Sequence, residues 1–164
     1  MRLRKLNTKD APFMLEWMHD ESVVEDLQGN FREKTLEDCQ AFIVAAEDAS
    51  ANLHMAVTDE TDTYMGTVSL KHIEDGSAEF AITIRSCAMG KGYSAYAMEQ
   101  ILGLGFEQLG LNAIYWCVSG ENKRAVRFYD KHGYPRMDPS ESYPGMKSYT
   151  PEQIRNYLWY CIKK

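Results

Sequence analysis

The first third of the chain carries one alternating segment and two segments with helical spacing. Apolar and basic residues alternate from Met1 to Leu6, which predicts a half-buried strand. Apolar residues recur every three or four positions from Ala11 to Met18 and again from Leu36 to Ala46, where Thr35 provides a capped start. The stretch between these segments gives no clear period. We therefore predict a strand followed by two helices.

The middle of the chain changes to strand patterns separated by polar turns. Short apolar runs cover Leu53 to Val57, Tyr64 to Leu70 and Ala78 to Ile84. Three such runs joined by short turns predict an antiparallel meander. A long apolar-periodic stretch from Lys91 to Leu109 then predicts a helix, and Gly110 is placed to end it.

The last third predicts a strand, a helix and a final strand. The strands are expected at Asn112 to Val118 and at Tyr157 to Ile162, and the helix lies between Asn122 and Gly133. The resulting order is β-α-α-β-β-β-α-β-α-β. One mixed, mostly antiparallel sheet flanked by helices is its natural outcome, so the fold class is α/β (α+β). A length of 164 residues fits a single domain spanning 1–164.

Composition and charge narrow the functional classes. Hydrophobic residues make up 45% and charged residues 26% of the chain, which is typical of a globular protein. The formal net charge of −6 disfavours a nucleic-acid partner, because phosphate binding depends on Lys and Arg. The same charge tolerates a cationic substrate such as an amine.

Cysteines, histidines and the N-terminus give expectations about compartment and metals. The four cysteines form no CxxC or Cys/His cluster, which favours a reduced protein while leaving a disulfide pair open. The four histidines show no metal-binding spacing, so we expect no metal. The N-terminus lacks the apolar core of a signal peptide, and no run reaches the length of a transmembrane helix. We expect a cytoplasmic protein that does not bind membranes.

A glycine-bearing turn lies between the third strand of the meander and the long helix. It reads Met89-Gly90-Lys91-Gly92-Tyr93-Ser94. Small residues let a phosphate approach the backbone N–H groups, and the helix N-terminus adds its partial positive charge. The pattern predicts a pyrophosphate site. Its alternative is an ordinary strand-to-helix turn.

This turn and a second segment, Asn122 to Tyr134, together resemble the GNAT superfamily of acetyl-CoA-dependent N-acetyltransferases. The family's cofactor loop reads Arg or Gln, two residues, Gly, one residue, then Gly or Ala. The chain departs from it at Met89 and at Ser94. In the second segment the matching residues are Asn122, Ala125, Tyr129, Gly133 and Tyr134. The N-terminal pattern looks most like the RimJ/RimL-type branch, which includes protein N-terminal acetyltransferases and enzymes that modify small amines.

The resemblance implies acetyl transfer from acetyl-CoA to an amine within a ternary complex, and it suggests roles for individual residues. Tyr129 is the candidate general acid, unless it is only a core aromatic. Glu79 is the candidate general base, unless it is a solvated strand residue. Asn122 matches a cofactor-contacting position and also suits a plain helix cap. Backbone groups of Thr83 and Ile84 are expected to pair with the pantetheine arm. The backbone amides expected to hold the pyrophosphate belong to Gly90, Lys91, Gly92, Tyr93 and Ser94.

The acceptor is set by loop shape rather than by a motif, so several alternatives stay open. They are a small-molecule amine of amino sugar, amino acid or polyamine type, a peptide N-terminus, or no acceptor at all in a non-catalytic acyl-CoA-binding module. An acidic cluster, Asp20, Glu21, Glu25 and Asp26, either borders the acceptor pocket, as the resemblance implies, or forms a solvated face. The aromatic segment Tyr157 to Tyr160 suits a homodimer contact.

Overall fold

Six strands form one sheet in the order β1-β2-β3-β4-β5-β6. The computed structural model describes all residues from 1 to 164. Neighbouring strands are antiparallel except β4 and β5, which are parallel. The predicted mixed, mostly antiparallel sheet and its meander are confirmed. The strands are β1 (Arg2–Lys5), β2 (Leu53–Thr58), β3 (Tyr64–Glu74), β4 (Ser77–Ile84), β5 (Ala113–Ser119) and β6 (Tyr157–Lys163).

Six helices connect these strands, two more than the sequence pattern predicted. The additional ones are α2 and α6, which are too short to show a helical period in sequence. Helix α4 begins two residues later than predicted and passes after Gly103 into a single π turn, Leu104–Gln108. The helices are α1 (Ala11–Met18), α2 (Glu21–Val24), α3 (Leu36–Ala45), α4 (Tyr93–Gly103), α5 (Lys123–Lys131) and α6 (Pro151–Asn156).

The alternation of side chains along the strands divides the core between the two faces of the sheet. On one face, Trp116 of β5 packs in a cluster with Met98 of α4 and Tyr129 of α5. On the other face, helices α1 to α3 cover β2 and β3 through a cluster that includes Trp17. The C-terminal segment covers β5 and β6 on that same face, where Tyr115 stacks on Tyr143 with ring centroids 4.6 Å apart. Side chains from both faces of the sheet can therefore contribute to a site at an opening in the sheet.

Strands β4 and β5 separate soon after they meet. Their pairing covers only Ser77 with Ala113, Ala78 with Ile114, and Glu79 with Tyr115. Beyond these pairs β4 continues to Ile84 and β5 to Ser119 without bonding to each other. A wedge-shaped opening therefore lies between the two strands, with Glu79 and Tyr115 at its apex.

The edge of the sheet at β6 is partly covered by the chain itself. The backbone N–H of Met137 donates to the carbonyl of Trp159, and the N–H of Cys161 donates to the carbonyl of Pro135. Trp159 and Tyr160 are buried inside the chain. These two aromatic side chains are thus not free for the homodimer contact that the sequence suggested.

Candidate functional site

The turn after β4 places two glycines in the left-handed backbone region. Gly90 has φ +74° and Gly92, which precedes α4, has φ +87°. A residue with a Cβ rarely adopts this conformation, because the Cβ collides with the backbone. Glycine has no Cβ and therefore suits both positions. A Cβ at Gly90 would meet no protein atom within 4 Å. The glycine is thus required by backbone conformation, and the space beside it is open to a ligand.

A row of unpaired amides follows from this turn. None of the backbone N–H groups of residues 90–95 donates a hydrogen bond within the chain. The first residues of a helix lack intrahelical acceptors, and here the preceding turn adds further free donors. Consecutive N–H groups at a helix N-terminus attract anions. The amides of Gly90, Lys91, Gly92, Tyr93 and Ser94 are therefore unpaired, as a site for an anion requires.

A guanidinium group from α5 lies beside the first position of this turn. The Nη1 of Arg124 donates to the Sδ of Met89 at 2.8 Å, and Arg124 has no acidic partner. Met89 stands where the family pattern has Arg or Gln. A cation is therefore available next to the turn from a different element, which the sequence motif alone did not reveal.

Arg85 joins the start of the turn to α1. It is 9% exposed, and its Nε and Nη2 donate to the two carboxylate oxygens of Glu16 at 3.0 and 2.9 Å. Its Nη1 donates to the carbonyl of Tyr64, and its guanidinium stacks over the ring of Phe13. Bidentate pairing fixes a guanidinium in position more firmly than a single contact does. Arg85 thus holds the turn after β4 against α1.

Asn122 caps α5. Its Oδ1 accepts a hydrogen bond from the backbone N–H of Ala125 at 3.0 Å, and the residue is almost fully buried. The cap that the sequence allowed is confirmed, and it fixes the start of the helix that carries Tyr129.

Tyr129 projects from α5 into the cluster behind the opening. Its ring lies 5.3 Å from that of Trp116 and 5.1 Å from that of Tyr160. Its hydroxyl makes no hydrogen bond within the chain and is not among the fully buried polar atoms. Burial raises the pKa of the phenol, so Tyr129 keeps its proton at neutral pH. The residue is a core aromatic, yet its hydroxyl remains an available donor.

Glu79 is buried at the apex of the opening, with 3% of its surface exposed. The alternative of a solvated strand residue is therefore wrong. The hydroxyl of Tyr149 donates to its Oε1, and the Nζ of Lys71 lies 3.4 Å from the same oxygen. The Oε2 of Glu79 has no hydrogen-bond partner, and the Nε2 of His72 is 3.6 Å away. A buried carboxylate oxygen without a partner is costly, so Glu79 is not explained by the packing of the chain alone.

Cys117 follows the apex on β5 and faces the same side of the sheet. Burial raises the pKa of its thiol to about 11, and Tyr149 and Glu79 lie close enough to affect it. The thiol is protonated at neutral pH and is a poor nucleophile. Cys117 is half-buried beside the candidate site, whereas Cys39 is a fully buried core residue.

A cavity of about 360 Å³ lies between α1, α3 and the sheet. Thr83 lines it from β4 and Lys71 from β3, whereas Ile84 belongs to the opposite face of the sheet. The acidic cluster predicted from sequence does not line it. Asp20 instead accepts a hydrogen bond from the hydroxyl of Ser86 at 2.6 Å, and Glu21 pairs with Arg32.

An opening between two parallel strands, free amides at a helix N-terminus and a buried phenol beside them are features of acetyl-CoA-dependent N-acetyltransferases. The family model for the acetyltransferase (GNAT) domain matches residues 1–135. The chain belongs to this family, whose enzymes use acetyl-CoA.

Individual relatives agree with this assignment. The uncharacterized N-acetyltransferase p20 of Bacillus licheniformis is 26% identical over 171 residues, covering 100% of this chain and 93% of the relative. The spermidine N(1)-acetyltransferase of Vibrio cholerae is 33% identical over 87 residues, covering 52% of this chain and 50% of the relative. The solved structure of spermidine N-acetyltransferase from Vibrio cholerae with CoA and spermine has a TM-score of 0.78 at 22% identity, covering 99% and 94% of the two chains. This structural likeness shows the fold.

Two further observations concern membranes and metals. None of the helices combines the length and hydropathy that a membrane span requires. No group of three or more His, Cys, Asp or Glu side chains is arranged to hold a metal ion.

Proposed function

We propose that residues 1–164 form a single N-acetyltransferase domain that acetylates the primary amine of a small molecule by direct attack within a ternary complex. The observation that carries this proposal is the row of free amides at 90–95 beside the opening between β4 and β5. A buried carboxylate and a protonated phenol are found near that opening, and they suit the two proton transfers of the reaction.

Acetyl-CoA would supply an activated acetyl group as a thioester. In our proposal the amides of residues 90–94 bind its diphosphate, with Met89 beside them and Arg124 adding a positive charge. Residues Thr83 and Ile84 belong to the part of β4 that has no partner on the β5 side. Backbone groups point alternately to the two sides of a strand, and those that this part of β4 directs towards the opening suit the amides of the pantetheine arm. Asn122 supports this side of the site by holding the start of α5.

Glu79 and Tyr129 take the roles of general base and general acid in this proposal. The Oε2 of Glu79 accepts a proton from the amine, directly or through water, because that oxygen has no partner within the chain. The nitrogen–carbon bond then forms as the carbon–sulfur bond breaks. Tyr129 gives its proton to the departing thiolate.

Calorimetric titration of the protein with acetyl-CoA tests the cofactor site. Gly92→Glu should abolish binding by placing a carboxylate against the diphosphate. Gly92→Ala measures the backbone strain alone, and Gly103→Glu adds the same charge at a helical position where a Cβ meets no protein atom within 4 Å. Binding by Gly92→Glu equal to that of Gly103→Glu would place the diphosphate elsewhere.

The acceptor class is a separate part of the proposal. A cavity enclosed by α1 and α3 favours a small molecule over the extended peptide N-terminus that the RimJ/RimL-like assignment also allows. The similarity to a spermidine acetyltransferase over half the chain makes polyamines the first rival among small amines. Release of free CoA with a panel of amines and an Ala-terminated peptide separates these acceptors, and a non-catalytic module would release none.

A further inference from the structure

The cavity between α1, α3 and the sheet is mainly apolar and aromatic. Trp17 and Phe31 meet edge-to-face with ring centroids 5.3 Å apart, and Phe42 lines the wall formed by α3. Met14 and Met18 complete the apolar lining on the α1 side. Burial of an apolar group of a ligand against such a surface lowers the free energy of the complex.

The charges of the cavity are predominantly positive. Lys34 and Lys71 line it, and the carboxylate of Asp38 is the acidic group among the lining residues. The Oδ2 of Asp38 already accepts hydrogen bonds from the backbone N–H and the hydroxyl of Thr35 at the start of α3. Burial and the charge of Lys71 lower the pKa of His54, so this imidazole is neutral near pH 7. A polyamine with several ammonium groups would meet repulsion here and few carboxylates.

Lys71 connects the cavity to Glu79, which lies behind the lining residues. Lys71 lines the cavity and lies 3.4 Å from Oε1 of Glu79, whose Oε2 has no partner. An α-amino acid carries its amine and its carboxylate on one carbon atom. A carboxylate bound at Lys71 would hold the amine on the same carbon atom at the Glu79 side of the cavity, and the apolar lining would take a bulky side chain.

We propose that the acceptor is a free α-amino acid with a bulky apolar side chain, bound through Lys71 at its carboxylate and through the aromatic cavity at its side chain. This inference rests on the proposed acetyltransferase function and narrows its substrate class.

A comparison of three amines tests the inference. L-Phenylalanine has all the required features, 2-phenylethylamine lacks only the carboxylate, and spermidine lacks both the carboxylate and the ring. We expect kcat/KM for L-phenylalanine to exceed that for 2-phenylethylamine about tenfold or more, which is the effect of one charge-assisted contact. Spermidine should be the poorest of the three. Equal rates for the two phenyl compounds, or the highest rate for spermidine, would overturn the inference while leaving the acetyltransferase function intact.

Variants locate the two contacts. Lys71→Met should lower kcat/KM for L-phenylalanine about tenfold more than kcat/KM for 2-phenylethylamine, a selectivity that neither general damage to the fold nor loss of the contact with Glu79 produces. Lys5→Met, on exposed β1, is the matched control. Phe42→Ala should raise KM for both phenyl compounds, whereas Val44→Ala on the same helix, 59% exposed and outside the cavity, should not. Equal effects of Lys71→Met on both compounds would refute the carboxylate contact. Absence of acetyl-CoA binding, or of CoA release with every amine, would instead remove the proposed function.

Discussion

The hydroxyl of Tyr149 donates a hydrogen bond to Oε1 of Glu79, although the two residues are 70 positions apart in the sequence. Tyr149 follows a 3-10 turn, Pro144–Ser148, and its ring packs edge-on against Trp159 with centroids 5.2 Å apart. The C-terminal segment thereby orients the carboxyl group at the apex of the opening. The Oε2 of Glu79 is left without a hydrogen-bond partner.

Tyr149→Phe should lower kcat about tenfold, because Glu79 loses the strongest of the contacts that fix its orientation. The ring remains, so the packing against Trp159 and the thermal stability should change little. Tyr157→Phe is the matched control, since that ring meets Tyr149 and its hydroxyl has no hydrogen bond in the chain. Steady-state rates of CoA release measure the effect. Equal rates for the two variants would show that Tyr149 does not position Glu79.

Tyr129→Phe should lower kcat roughly a hundredfold with little change in KM for acetyl-CoA, as expected for loss of a general acid. Its free energy of unfolding should stay close to that of the parent, because the hydroxyl has no partner within the chain. Tyr160→Phe should have the opposite pattern, with lower stability and an unchanged rate. Its hydroxyl donates to Asp130 at 2.8 Å, so its removal should cost about 1 kcal/mol of stability and spare the rate. An unaltered kcat in Tyr129→Phe would exclude this residue as the acid.

Arg124→Met should weaken acetyl-CoA binding about tenfold, because it removes a cation beside the amides at 90–95. Loss of this charge should also reduce the dependence of affinity on ionic strength. Arg127→Met, an exposed arginine on the same helix without a hydrogen bond, should leave both quantities unchanged. Calorimetric titration at two salt concentrations makes the comparison. Identical titrations for the two variants would show that Arg124 does not replace the family's Arg or Gln.

The sequence predicted those parts of the structure that depend on local pattern. Short apolar runs separated by polar turns predicted the meander, and Gly90 and Gly92 between a strand and a helix predicted the turn. Contacts between distant segments were not predictable in this way. Tyr149 lies in a Pro-rich tail without period, and it reaches Glu79 only because β6 returns beside β5. Arg124 likewise reaches Met89 only after α5 has packed against the sheet.

The burial of Glu79 has the same kind of cause. A single acid in an apolar strand is compatible with either solvent or a cleft, and the outcome depends on which element covers that face. Here Gly145 lets the C-terminal segment approach, since a Cβ at this position would lie 2.2 Å from the hydroxyl oxygen of Tyr115. The two alternatives for the acidic cluster at Asp20 could not be separated for a related reason, because Ser86 and Arg32 come to it from outside the segment.

An ion-pair cluster at the edge of the sheet gives a prediction on pH. Hydrogen bonds from Lys9 and then from Arg4 lower the pKa of Asp62 to about 2, from an ordinary value of 3.8. A carboxylate whose pKa is depressed in the folded state adds stability above its unfolded pKa, and that stability is lost as pH falls through the folded pKa. The contribution of Asp62 is therefore complete above about pH 4 and disappears towards pH 2.

Asp62→Asn should lower the free energy of unfolding at pH 6. At pH 2 the free energies of unfolding of Asp62→Asn and of the parent should differ less than they do at pH 6. Urea unfolding at both pH values tests this, with Glu60→Gln, an unpaired acid on the same turn, as the control. A constant difference between Asp62→Asn and the parent at both pH values would show that the ion pairs do not cause the shift.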